Sequence, residues 1–252
     1  MRLSIFLLLL FPACSWALIC KQLSGRMKQI DASNGQVYAV DFRGNVFTRR
    51  GEFWARIPGN LHHVTVGASG VWGVGRDGVL YRLVSGFWAI LAGQLTQVDA
   101  GGDQILVGVD RRRFVFCANR RAAVSAANSN SPTYHTIPGR MKYYSCGPRA
   151  CWGVNTGGNI YCRVHIKRSI CRGTHWVRVP GRLSMVEVGT DGTVYGISHS
   201  GQVYRRIGVT RNRPQGRRWV RMHFLQRRFR HVSADLGILW LVERNGNVIQ
   251  CQ

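Results

Sequence analysis

The chain has 252 residues, of which 45% are hydrophobic and 30 are glycine, a balance that excludes a disordered or fibrous chain and allows one well-buried domain. Its charge is lopsided: 35 Lys+Arg face 11 Asp+Glu, a formal net charge of +24, and all the basic residues except Lys21, Lys28, Lys142 and Lys167 are arginine. Such a surface attracts anions and keeps molecules apart, but it does not specify a fold.

The first residues carry one basic side chain, Arg2, then an apolar run from Leu3 to Phe11, then the small residues Ser15 and Ala17. That pattern predicts a secretory signal peptide over 1–17, too short to span a membrane, and no later stretch is apolar for long enough to span one. The mature chain is therefore expected to be a single extracellular domain, 18–252.

From there on, fixed spacings recur. An apolar pair three apart appears as Met27–Ile30, Leu61–Val64, Leu95–Val98, Met141–Tyr144, Leu183–Val186 and Phe229–Val232. A second pair, nine apart, follows each: Tyr38–Phe47, Trp72–Tyr81, Val107–Phe116, Trp152–Tyr161, Tyr195–Tyr204 and Trp240–Ile249. Five units then close on an aromatic with an apolar residue three further on, as in Trp54–Ile57, Trp88–Leu91, Tyr134–Ile137, Trp176–Val179 and Trp219–Met222. Each unit divides into four short runs rich in Val, Ile, Tyr and Trp, separated by Gly, Asn and Asp, and helical periodicity is weak throughout. A lone four-stranded sheet cannot bury both faces, so neighbours must stack. The prediction is an all-β fold, a six-bladed β-propeller of four-stranded antiparallel blades; a linear solenoid is the alternative.

The sixth unit favours a closed ring. After Val248-Ile249 the chain stops at Gln252 without a fourth strand, while "CKQL", 20–23, matches the outer-strand phrases "WARI" and "WVRV". The N-terminal strand is expected to complete the last blade, with Cys20 opposite Cys251 in a disulfide. Cys146 and Cys151 flank the turn "GPRA", and Cys162 and Cys171 bracket the next long connection, so each pair is expected to bridge. Cys14 falls in the signal peptide. Cys117 is left odd, which fits a free thiol, an intermolecular bridge or a buried inert thiol. No Cys-x-x-Cys occurs, so no metal is expected, and no cofactor.

The turns between second and third strands share a face with the connections between blades, at Pro58-Gly59, Pro138-Gly139 and Pro180-Gly181. They carry Asp41, Arg43 and Asn45; Arg76 and Asp77; Asn155 and Asn159; His199 and Gln202; and Arg244, Asn245 and Asn247. These side chains pair donors with acceptors as sugar hydroxyls and acetamido groups require. They are also what a tight hairpin needs with no ligand present. Arginines concentrate in 211–230: Arg211, Arg213, Arg217, Arg218, Arg221, Arg227, Arg228 and Arg230. Their planar forks suit phosphate and carboxylate. The run begins in the long third-to-fourth connection of unit five, which places it on the rim opposite the turns.

Enzyme chemistry is not expected. The acids are scattered, the eight histidines show no i, i+4 pair, His62 and His63 are neighbours on one strand, and no Gly-x-Ser-x-Gly or phosphate loop occurs. Specific nucleic-acid binding is not expected either, because the aromatics hold core positions; binding by charge alone should vanish with salt.

"WGVGRDGVLYR", "PGRLSMVEVG", "WVRVPGRL" and the six-fold count resemble the tectonin repeat, in the form found in fish-egg lectins and their horseshoe-crab relative tachylectin-1. The resemblance covers 19–252. It implies a secreted six-bladed propeller that binds sugars, typically N-acetylglucosamine or bacterial lipopolysaccharide, in innate defence. The arginine load leaves open a basic propeller that binds sulfated glycans, lipid A phosphates or a protein partner without sugar specificity.

Overall fold

The structure is a computed structural model that describes residues 18–126 and 131–252. The expected signal peptide, with Cys14, lies outside the described residues. Six four-stranded antiparallel sheets are arranged as blades. Blade 1 runs outward from the axis through Gln29–Ser33, Gln36–Val40, Asn45–Arg50 and Phe53–Asn60. Blades 2 to 5 repeat this order, with innermost strands His63–Gly67, Gln97–Asp99, Tyr143–Cys146 and Met185–Val188. Blade 6 takes Phe229–Asp235, Ile238–Glu243 and Asn247–Cys251 from the end of the chain, and its outermost strand, Cys20–Arg26, from the beginning. The seam has the expected register, Cys20 opposite Cys251 through Leu23 opposite Val248, and Cys20 is bonded to Cys251. The ring is closed.

The core lies between blades as six apolar clusters. Trp152, Val154, Ile160, Cys162 and Val179 of blade 4, for example, pack on Leu183, Val186, Val188 and Val194 of blade 5. Strand pleating turns alternate side chains to opposite neighbours. Tyr161 therefore packs back toward blade 3, while Cys162 packs forward toward blade 5.

That alternation corrects the cysteine assignment. Cys162 is not bonded to Cys171; Cys171 is bonded to Cys117, across 54 residues of sequence. Cys117 occupies in blade 3 the register of Cys162 in blade 4, so its side chain also points forward, and Cys171 shares its cluster. Cys162 faces the wrong way for its own connection. It is buried and free, and burial pushes its thiol up to about 12. The odd thiol is thus Cys162 rather than Cys117. Cys146–Cys151 is formed as expected.

Pro58-Gly59 lies in a bulge at the end of blade 1's outer strand, not in a free turn. Gly59 has φ 139°, and Trp88 of the next blade lies against it, donating from Nε1 to the Pro58 carbonyl at 2.8 Å. Gly139 meets Trp176 and Gly25 meets Trp54 in the same way, the indoles donating to the Pro138 and Ser24 carbonyls, while Trp219 packs on Gly181 with its Nε1 unpaired. Each outer-strand tryptophan staples its blade to the previous one. A Cβ on Gly59 would lie 2.7 Å from Trp88 Nε1, whereas one on Gly51, also at positive φ, would meet open space. Gly59→Ala is expected to cost roughly 2–3 kcal/mol and Gly51→Ala about 1 kcal/mol, read as shifts in denaturation midpoint. Equal costs would remove packing on Trp88 as the reason for the motif.

Part of the arginine excess is structural. Arg49, Arg163 and Arg206 stack on the outer-strand tryptophans Trp54, Trp176 and Trp219 with guanidinium-to-ring distances of 5.4, 5.2 and 5.3 Å. Arg163 Nε also donates to the Arg172 carbonyl and Arg206 Nε to that of Gln215, anchoring the long connections of blades 4 and 5. Blade 3's long connection holds a short helix, Arg120–Ser125, which the sequence reading did not anticipate; Asn119 caps it by accepting from Ala122 N–H.

Candidate functional site

The turns between second and third strands gather on one face, and most of their polar side chains are spent on the turns themselves. Asp41 accepts from the Arg43 and Asn45 amides at 2.9 and 2.8 Å and from the Asn45 side chain at 2.7 Å. Burial would raise its carboxyl, but these bonds outweigh it and hold the group below the usual range. Asn155 accepts from the Asn159 amide, Asp77 from that of Val79, and Asn245 from that of Asn247. Gln202 accepts from the Tyr204 hydroxyl. Arginines then knit one turn to the previous one: Arg76 donates to the Phe42 carbonyl, and Arg244 to that of His199. Arg43 projects from its turn exposed.

Two of the expected residues do line a common notch. Between blades 2 and 3, Arg76, Asp77 and Gly78 meet Gln94, Thr96 and Arg111 around a cavity of about 320 Å³. Sequence reasoning missed Gln94 and Arg111, which come from the end of an outer strand and from the neighbouring turn.

The basic run 211–230 does not stay on one rim. Arg211, Arg213 and Arg217 belong to the third-to-fourth connection on the far face, and Arg218 and Arg221 begin and end blade 5's outer strand. The chain then crosses to the turn face, where Arg228 packs beside Gly201, Arg227 pairs with Glu243 at 2.9 Å and Arg230 reaches the axis. A strand crosses the sheet from face to face, so basic residues contiguous in sequence are divided between the two faces.

The axis holds what the sequence reading did not pick out. Each innermost strand is a sheet edge whose amides need acceptors. A buried ring supplies them, one residue per blade, alternating acid and hydroxyl: Asp31, Thr65, Asp99, Ser145, Glu187 and Ser233. Asp31 accepts from the Thr65 hydroxyl at 2.7 Å, the Val66 amide at 2.8 Å and the Ser233 hydroxyl at 3.0 Å. Asp99 accepts from the Cys146 amide, and Glu187 from the hydroxyls of Ser145 and Tyr143. The three hydroxyls in turn accept from the Ala100, Val188 and Ala32 amides. Burial, offset by hydrogen bonds, raises the Asp31 carboxyl to about 6. Burial and the charge of Asp31 raise Asp99 to about 7, and burial with both aspartates holds Glu187 well above the usual range.

Above this ring a well of about 440 Å³ opens on the turn face. Its floor is Gln29, His63, Gln97, Tyr143, Met185 and His231, and around its mouth stand Lys28, His62, Thr96, Lys142, Ser184 and Arg230, with Arg113 above. His63 is 8% exposed and neither ring nitrogen has a partner; His231 Nδ1 is likewise unpaired. Burial first, then the surrounding positive charge, holds His63 well below the usual imidazole range and lowers His231 to about 3. The same causes lower Lys28 to about 8, with Arg230 and Arg76 as the neighbouring charges. Among the described residues no group of three or more His, Cys, Asp or Glu side chains is arranged to hold a metal ion, and no helix is long and apolar enough to cross a membrane.

Ring, notch and well together define a six-bladed propeller whose turn face is polar and cationic and carries both a notch and an axial well. Residues 26–244 match the family model of the tectonin domain. The chain is also 41% identical over 233 residues to the fish-egg lectin of Cyprinus carpio, covering 92% of this chain and 98% of that one. It belongs to the tectonin-repeat lectin family. Among solved structures, virginiamycin B lyase from Staphylococcus aureus superposes with TM-score 0.58 at 12% identity, over 87% of this chain and 77% of that one. Human WBSCR16 gives 0.57 at 12%, over 92% and 72%. At such identities the likeness is one of fold.

Proposed function

We propose that the chain is a secreted lectin that binds N-acetylglucosamine-type glycans and bacterial surface lipopolysaccharide multivalently, in innate defence, without catalysing a reaction. The observation that carries this reading is the polar turn face, with its blade 2–3 notch, in a chain aligned over nearly the whole length of a fish-egg lectin. Arg76, Asp77, Gln94 and Thr96 offer donors and acceptors to a saccharide there. A shallow notch holds one sugar weakly, and a repeating glycan gains by about 10²–10⁴ when several sites engage it together. On a glycan array, chitin oligomers are expected to bind, to be displaced by free N-acetylglucosamine and to exceed it in affinity by that order. Failure of the monosaccharide to compete would refute sugar recognition.

A second reading rests on the far face. Arg211, Arg213, Arg217 and Arg218 form no ion pair among the described residues, and Arg149, Lys167 and Arg211 line a groove of about 780 Å³ between blades 4 and 5. Sulfated glycans or lipid A phosphates suit that surface. Running the array at two salt concentrations separates the readings, since attraction by exposed charge weakens with salt while hydroxyl recognition persists.

A further inference from the structure

We infer that the axial well is a binding site for a phosphomonoester carried on a saccharide, adjoining the blade 2–3 notch across His62 and Thr96. Lys28, Arg113, Lys142 and Arg230 converge on the well, and none of them makes an ion pair among the described residues. No carboxylate lines the well; those of Asp31, Asp99 and Glu187 are buried beneath its floor. Four cations crowded without a counter-ion favour a dianion over a single carboxylate.

The floor narrows the class further. Neutral His63 carries one N–H donor and one acceptor nitrogen, both buried and unpartnered. Leaving a buried polar atom without a partner is unfavourable, so the site is completed by a ligand or solvent that supplies both roles. His231 Nδ1 adds another open position, while its Nε2 is engaged with the Tyr143 hydroxyl at 3.1 Å. Bare phosphate offers mostly acceptors, whereas the hydroxyls of a phosphorylated sugar offer donors as well. A volume of about 440 Å³ is ample for phosphate plus one pyranose ring and lies within the ~300–1,000 Å³ range of small-molecule sites.

The test is calorimetric titration of the full chain with N-acetylglucosamine 6-phosphate, N-acetylglucosamine, glucuronate and inorganic phosphate. The phosphorylated sugar is expected to bind at least tenfold more tightly than the other three. Lys28→Gln with Arg230→Gln, and separately Lys142→Gln with His63→Asn, should each weaken it tenfold or more. Arg149→Gln with Arg211→Gln, on the far face, should leave it unchanged. Equal affinity for glucuronate or inorganic phosphate would overturn the assignment, as would an equal loss in the far-face variant. The inference does not rest on the lectin reading: the neutral sugar tests that one, and the phosphate ester tests this one.

Discussion

Replacing Cys20 and Cys251 together by serine is expected to lower stability by about 3–5 kcal/mol, the largest loss among the three disulfides. The bond joins residues 231 apart, against 54 for Cys117–Cys171 and 5 for Cys146–Cys151. In the chain-entropy account, a cross-link stabilises by restricting the unfolded chain, and the effect grows with the logarithm of the enclosed loop. Opening the seam also frees the strand Cys20–Arg26, whose only sheet partner among the described residues is Asn247–Cys251. For a domain of this size the melting temperature should fall by roughly 10 °C. The order of losses should be seam, then Cys117–Cys171, then Cys146–Cys151. A seam variant no less stable than the Cys146/Cys151 variant would show that strand pairing alone holds the ring.

The ring was legible because its repeat is tied to packing. Trp72, Trp152 and Trp240 are buried between blades, and a position so constrained recurs at the same register in each unit. The seam was legible for the same reason, since "CKQL" matches an outer strand and is left without a blade of its own. Of the three expected cysteine pairs, Cys162–Cys171 failed because sequence proximity stood in for direction. Cys162 and Cys171 bracket one connection, but the pleat points Cys162 forward, and only knowing which neighbour each residue faces identifies Cys117 as the partner.

The site was less legible, and the reasons are physical. Polar residues in turns signal both backbone need and ligand contact, and Asp41, Asn155 and Asn245 serve the backbone. Arginines were read as one surface because they are contiguous, although a crossing strand separates Arg217 from Arg230. The axial ring was within reach. Asp31, Thr65, Asp99, Ser145, Glu187 and Ser233 each follow directly the second residue of the repeating apolar pair, so the alternation of acid and hydroxyl is written at one fixed register. Its meaning emerges only with closure, which brings six distant residues onto one axis.

That ring also sets how stability responds to pH. Asp31→Ala is expected to cost about 2–4 kcal/mol, because it strips the acceptor from the buried Val66 amide and from the Thr65 and Ser233 hydroxyls. Glu187→Gln should cost less, since its two partners are hydroxyls that can reorient. Its signature lies in the pH profile. The folded-state carboxyls of Asp99, at about 7, and of Glu187, held well above the usual range by burial and the neighbouring aspartates, lie above their unfolded values, so the native state binds more protons than the unfolded chain above pH ~4. Stability therefore falls as pH rises toward and through those folded values. Below about pH 6.5 the buried His63 and His231 act oppositely, because they must gain a proton on unfolding, and the two trends offset. Between pH 6.5 and 7.5 the carboxyls dominate, because Lys28, lowered to about 8, has released only a minor share of its proton there and opposes them increasingly above. At ~1.4 kcal/mol per pH unit for each proton of difference, the expected loss is on the order of 1 kcal/mol over that window, or roughly 2–4 °C in melting temperature. Glu187→Gln should flatten that slope in part, leaving the share carried by Asp99. A wild-type profile that rises from pH 6.5 to 7.5, or a Gln variant that keeps the full slope, would mean that the axial acids do not carry the excess protons.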